Sequence, residues 1–468
     1  MIFYRYISFI LILFLSFIFL FNANAGTVIS IKGEDKTVAT VVFAGFNSDN
    51  SVLNSDAKKV VNQINYNLQT TGLFKVAIRQ KLSNYNNIKF NDDAQLNINT
   101  ASDSLSDAIN MMPINIDVMP NFQQLQRLGV DSLVVAEPSF DNKGFLQIRI
   151  RMWDTLDEKQ VMGKLYSTYR DNYKKMANTI SNEIFKSITG EKSGHFNSKI
   201  LYVSETGPAN KRIKRINVID FDGSNRTILT DGKELVLTPI FSKKLNQIFY
   251  LRYFDSRPQV FSLNLEDMTS KKVGGFKGTT FASAVHPSDP NLLALSVIID
   301  SNSDIYELNI MENVARKLTR HPAIDTTPSY SPDAKMIAFA SDRENGQQIY
   351  IMDSALGKVE RISFNGGSYS KPVWSPDGKM IAFTKIKNNK FHIGVMLANG
   401  KNERILTSGY IVEGARWSPN GRYLIYSKKT SPYGFESIPK LYIIDVVTGF
   451  EHQIPTASNE GATDPDWQ

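Results

Sequence analysis

Apolar positions change their spacing repeatedly along this chain. From Thr37 to Phe46, TVATVVFAGF is a β-branched run, the pattern of a buried strand. Residues 52 to 72, VLNSDAKKVVNQINYNLQTTG, switch to helical spacing and stop at a Gly, a helix-ending signal. A short strand, LFKVAI, follows, and then a tract from Arg79 to Ala108 so rich in Asn, Asp and Ser that a loop is expected. Residues 122 to 128 suit a short helix, and VDSLVVAEPSF, FLQIRIRMWDT and KQVMGKLYSTY suit three strands. Arg170 to Ile188 returns to helix, with Met176, Ile180, Ile184 and Ile188 on one face. Together these residues predict a compact α/β unit with an antiparallel sheet.

Beyond Asn197 the pattern consists of short strands and turns alone. YSPDAKMIAF, WSPDGKMIAF and WSPNGRYLIY say nearly the same thing three times. Aligned on their aromatic position, the copies are anchored at Phe241, Val285, Tyr330, Trp374, Trp417 and Trp467. Their spacing of roughly 44 residues is that of a four-stranded β-propeller blade. Each copy continues into a strand, a Gly turn and another strand, as in QQIYIMDSALGKVERIS, but the sixth anchor, Trp467, has no outer strands after it. The three strands it lacks stand at the other end, in KILYVSET, RINVIDFDG and NRTILTDG. A six-bladed ring therefore closes if the C-terminal strand pairs with the segment starting at Lys199, and closure removes the edge strands.

In W-S-P-D-G, Pro presets φ for the turn, Asp bonds its own backbone and Gly supplies a positive φ. Ala334 replaces the Gly in one copy, Asn420 the Asp in another, and Phe241-Ser242-Lys243 lacks the Pro. A catalytic Ser or Asp spread over copies that drift in this way is not one site, so the motif reads as turn architecture. The aromatic is expected to wedge between neighbouring blades.

The N-terminus adds an address. Arg5 precedes an apolar run from Ile7 to Phe21 and the small-residue site Ala23-Asn24-Ala25, which predicts a secretory signal peptide over residues 1–25. The alternative, an uncleaved anchor, asks for a longer apolar run, about 20 residues. With no cysteine there is neither a disulfide nor a lipid-attachment site. The expected product is a soluble periplasmic protein with an α/β domain over 26–196 and a propeller over 197–468.

Net charge is +7, a scattered excess that argues against nucleic-acid binding, which wants a basic stripe. No G-x-S-x-G elbow, H-E-x-x-H or G-x-x-x-x-G-K-[ST] occurs. The five histidines do not fall at metal-ligand spacing, and Asp220-Phe221-Asp222-Gly223 holds only a fragment of a calcium loop. Neither an enzyme nor a cofactor is expected.

The junction ITGEKSGHFNSKILYVSE, Ile188 to Glu205, resembles the L-T-G-E-K-G-x-F-x-T-R-I-A-Y-V motif of the TolB family, periplasmic propellers of the Tol-Pal envelope system. The resemblance runs through the signal peptide, the α/β domain and all six repeats. Ala177-Asn178 departs from the family's usual Ala-His. The resemblance implies a non-enzymatic adaptor that supports outer-membrane integrity and cell division. It implies that the propeller docks Pal, the peptidoglycan-associated lipoprotein, and that the mature N-terminus contacts TolA. Here that segment is Gly26 to Lys36, with Thr27, Val28, Ile29, Ser30 and Ile31 able to add a strand to a partner's sheet or to begin the α/β domain. Loops feeding the inner strands should converge on one mouth of the channel, placing Thr279, Thr280, Asp325, Thr326, Tyr369, Ser370 and Glu413 there. Thr279, Ala282 and Thr326 match family positions implicated in Pal contact. An exported propeller enzyme or the regulatory propeller of a peptidase is the alternative.

Overall fold

The computed structural model describes residues 38–45, 50–78, 114–208, 211–254, 257–274, 278–344, 346–433 and 438–468. The signal peptide, the segment 26–36 and the whole Asn-rich tract from Arg79 to Ala108 lie outside the described residues.

The N-terminal unit is built from β1 (Ala39–Ala44), α1 (Ser51–Gln69), β2 (Phe74–Ile78), α2 (Phe122–Arg127), β3 (Ser132–Phe140), β4 (Leu146–Asp154), β5 (Lys159–Thr168) and α3 (Tyr173–Thr189). Asn50 caps α1 by accepting from Val52 and Leu53 N–H, and Gly190 at φ +71° ends α3, as C-terminal glycines do. The sheet order is β2-β1-β3-β4-β5. It is mixed rather than antiparallel: β1 pairs parallel with both β2 and β3, and only β3-β4-β5 run antiparallel. The reason is α1, a 19-residue helix between β1 and β2, since a crossover helix returns the chain to the same end of the sheet.

Six four-stranded sheets follow, five built from consecutive strands. The sixth joins Gly461–Trp467 to Lys199–Thr206, Ile213–Asp220 and Thr227–Ile228, so the ring closes as the strand count requires. Lys199 and Gln468 exchange both backbone hydrogen bonds at 2.9 Å. Blades one to five begin with inner strands Val236–Ser242, Thr279–Val285, Asp325–Tyr330, Ser368–Trp374 and Ile411–Trp417.

The repeated motif is masonry. Ser375 Oγ donates to Asp377 Oδ1 (2.7 Å) and accepts from Met380 N–H (2.9 Å), and Ser331 and Ser418 do the same in their blades. Ser375 and Ser418 are fully buried. Ala334 takes the turn's left-handed φ, +62°, without a glycine's freedom. The aromatics do tie blades together: Trp417 Nε1 donates to Val373 carbonyl in blade four (2.9 Å), and Tyr330 OH donates to Glu307 in blade two (3.0 Å).

One hydrophobic core runs from the N-terminal unit into blades five and six, through Ile64, Phe185, Phe196, Tyr423, Ile443 and Trp467. Phe185 on α3 meets Tyr423, the first residue after the turn that follows the inner strand of blade five (6.5 Å between rings). Arg422 beside it is buried and pairs with Asp445 (2.8 Å) and with Glu191 of the connecting segment (3.1 Å). Lys174 of α3 pairs with Asp222, between the third and fourth strands of blade six (2.7 Å). These turns follow the first and third strands of a blade. Antiparallel alternation puts them on the propeller face opposite the one where inner strands begin, so the described residues of the N-terminal unit leave the latter face uncovered.

Candidate partner-binding surface at the propeller mouth

Each inner strand starts at the uncovered mouth and runs toward the covered face. Midway, the pairing with the second strand slips in all six blades. At the slip Thr238, Thr327, Lys371, Gly414 and Asp464 hold positive φ, and four of them precede a proline. A β-branched Thr in this region is a true outlier, and such strain gathers where a structure needs a particular backbone course. The slips of five blades meet around a cavity of ≈ 70 Å³ lined by these residues and Arg416, the waist of the propeller.

Charge concentrates at the waist. Lys371 pairs with Glu413 (2.6 Å), and Asp464 accepts from Thr238 N–H (3.3 Å). Asp466, two residues on, accepts from Phe241 N–H (2.8 Å) and approaches Arg416 (3.6 Å). Burial pushes both aspartates above the usual carboxylate range, against the pull of Lys371 on Asp464 and of Arg416 on Asp466.

The mouth separates the sequence candidates into two groups. Thr279, Thr326 and Glu413 are partly exposed at the starts of their strands. Ala282 falls at the bulge of its strand, level with Thr327, and Thr280 is buried with its hydroxyl on Pro258 carbonyl (3.2 Å). Asp325 and Tyr369 are not loop contacts, being fully buried. Arg343 grips Asp325 through two contacts at 2.9 and 3.0 Å while lying over the Phe339 and Tyr350 rings. Tyr369 OH donates to Glu403 (2.8 Å) and accepts from Lys385 (2.6 Å). Burial and the Glu403 carboxylate push the Tyr369 hydroxyl well up, which keeps it a donor. These two residues hold the mouth in shape. Thr27 to Ile31 lie outside the described residues.

Around the mouth stand large apolar side chains in water: Tyr253, Phe254, Ile324, Phe364, Tyr410 and Tyr433, the last two 47% and 83% exposed. The waist residues and this crown were missed from sequence. A visible signal for the waist was the Thr-Pro, Thr-Pro, Lys-Pro and Asp-Pro pairs, with each Pro two residues before an anchor.

A family model described as TolB beta propeller domain matches residues 185–468. The chain belongs to the TolB β-propeller family. The fold agrees with that of TolB from Acinetobacter baumannii, at 21% identity and a TM-score of 0.75, over 92% of this chain and 96% of that one. A putative TolB from Agrobacterium tumefaciens is 19% identical with a TM-score of 0.45, over 59% of this chain and 99% of that one. The family match begins inside α3, upstream of the first blade strand, so it includes the segment that carries the joint between the two units.

Proposed function

We propose that this TolB-family chain is a periplasmic adaptor of the Tol-Pal system without enzymatic activity, exported by cleavage after Ala25. Residues 26–196 and 197–468 divide its labour. The propeller mouth docks Pal, the segment around Thr27 to Ile31 contacts TolA, and the protein reaches the outer membrane peripherally through Pal. In this role it supports envelope integrity and constriction at division.

The observation that carries the docking half is the crown of exposed aromatic and aliphatic side chains on the face that the described residues of the N-terminal unit leave free. Patches of this kind on a soluble surface mark contacts. Thr279, Thr326 and Glu413 lie within that crown, and Asp325, Tyr369 and the strand bearing Ala282 support it.

Titration of purified Pal against the mature protein tests the reading. Thr326→Arg should weaken Pal binding at least tenfold without altering thermal stability. Unchanged binding after Thr279, Thr326, Tyr410 and Glu413 are altered together sinks the docking surface. Deleting Thr27 to Ile31 should weaken TolA binding and spare Pal, and equal effects on both partners refute the division.

A further inference from the structure

We propose that the joint between the N-terminal unit and blades five and six is an acid-released latch, closed while the imidazoles of His195 and His452 are neutral and opened when both take a proton. His195 lies in the connecting segment with its ring between Phe185 of α3 and Tyr423 of blade five, at 5.8 and 4.5 Å. Phe196, Phe221 and Trp467 complete an aromatic cage around it. His452 marks the other end of the joint. It neighbours Phe450, which packs so closely on Gly72, after α1, that a Cβ there would overlap the ring.

Both imidazoles carry an Nδ1 that is sealed from solvent and has no hydrogen-bond partner among the described residues. A neutral ring tolerates this as an acceptor left idle. An imidazolium does not, because it must bury a charged N–H with nothing to receive it. The charged groups that face the pair do not supply a receiver. Arg422 adds a like charge, and its two carboxylate neighbours, Glu191 and Asp445, are already engaged by its guanidinium. Tyr423 is held neutral by burial, and Glu451, the acid beside His452 among the described residues, is paired with Lys428 (2.8 Å).

Burial, reinforced by the charges of His452 and Arg422, pushes His195 down to about 3, and burial pushes His452 down to about 4 despite Glu451. A histidine depressed in the closed joint binds its proton only when the joint opens. The closed state is therefore fully stable above the ordinary value near 6.5 and loses stability as pH falls from there toward 3 to 4. Between pH 7 and 5 each histidine shifts the opening equilibrium by roughly 25-fold, whether its closed value is 3 or 4. The propeller itself stays shut, since its closing strand is held by the Lys199 and Gln468 backbone pair and by the β-ladder from Gly461 to Trp467. Acid would thus uncouple the N-terminal unit from an intact ring.

Hydrogen–deuterium exchange on the mature chain at pH 7 and pH 5, corrected for intrinsic rates, tests this. Amides of residues 190–198 and of the Thr70–Leu73 turn should lose protection by several hundred-fold, while blades one to three keep theirs. His195→Phe, which preserves the ring packing, should cut the loss to about 25-fold, and adding His452→Phe should abolish it. Protection that is unchanged at pH 5, or lost equally in the double variant, overturns the latch. If the variants do not fold, imidazole proton resonances of the unmodified protein decide. Two of the five histidines must titrate below pH 5, and ordinary titration of all five overturns the proposal.

Discussion

The joint and the mouth of the propeller are built by opposite rules. At the joint, apolar residues are hidden: Phe185, Phe196, Tyr423 and Trp467 form one core with α3, and the nearby charges pair across it, while Met311 and Leu356, in turns of the same face on blades two and three, stay exposed. On the mouth, charges are hidden and apolar residues are left in water: Asp325, Lys385 and Glu403 are buried in pairs, while Tyr410 and Tyr433 stand out. The first arrangement spends its hydrophobic surface on folding and the second withholds it for a partner. A substitution should therefore be read out in stability at the joint and in binding at the mouth.

The largest effect should come from Phe185→Ala. Its ring is fully buried among Phe74, His195, Phe196 and Tyr423, so the truncation should cost about 3–5 kcal/mol by denaturant titration. A loss below about 1 kcal/mol would mean that the joint is not the continuous core it looks to be. Next is Arg343→Ala at the mouth. It strands Asp325 in the interior without its partner, for which about 3 kcal/mol is expected. This variant tests the comparison from the other side. If Arg343→Ala weakens Pal binding while stability holds, the mouth's buried charges are contacts rather than supports.

Much of this was legible in the sequence because propeller blades are local. A strand, its turn and the next strand are neighbours in the chain, so the repeat anchored at Trp374 measures the blades, and the strands missing after Trp467 reveal the closure. The mixed sheet of the N-terminal unit was not legible, since β1 pairs with β3 across the Asn-rich tract, and apolar runs do not state their pairing direction. Site residues suffered for a related reason. Asp325 and Tyr369 read as solvated loop residues until Arg343 and Lys385, each 16 to 18 positions further on, are folded back against them. The aromatic crown comes from loops of different blades and has no signature within any one repeat.

The smallest expected effect lies at the waist, between the two faces. Asp464 sits at φ +47°, a conformation that Asn tolerates better than other residues, and an Asn oxygen still accepts from Thr238 N–H. Burial raises the Asp464 pKa, so its contribution is favourable at low pH, where the native carboxyl is protonated, and is lost as pH rises through the raised value. Asp464→Asn removes the buried charge. It should therefore stabilise the protein by on the order of 1 kcal/mol at pH 8, with the gain vanishing near pH 4. Paired denaturant titrations at the two pH values measure the difference. A loss at pH 8 instead would show that attraction to Lys371 outweighs burial, making the waist an ion-paired girdle that belongs with the charge-supported mouth rather than with the apolar joint.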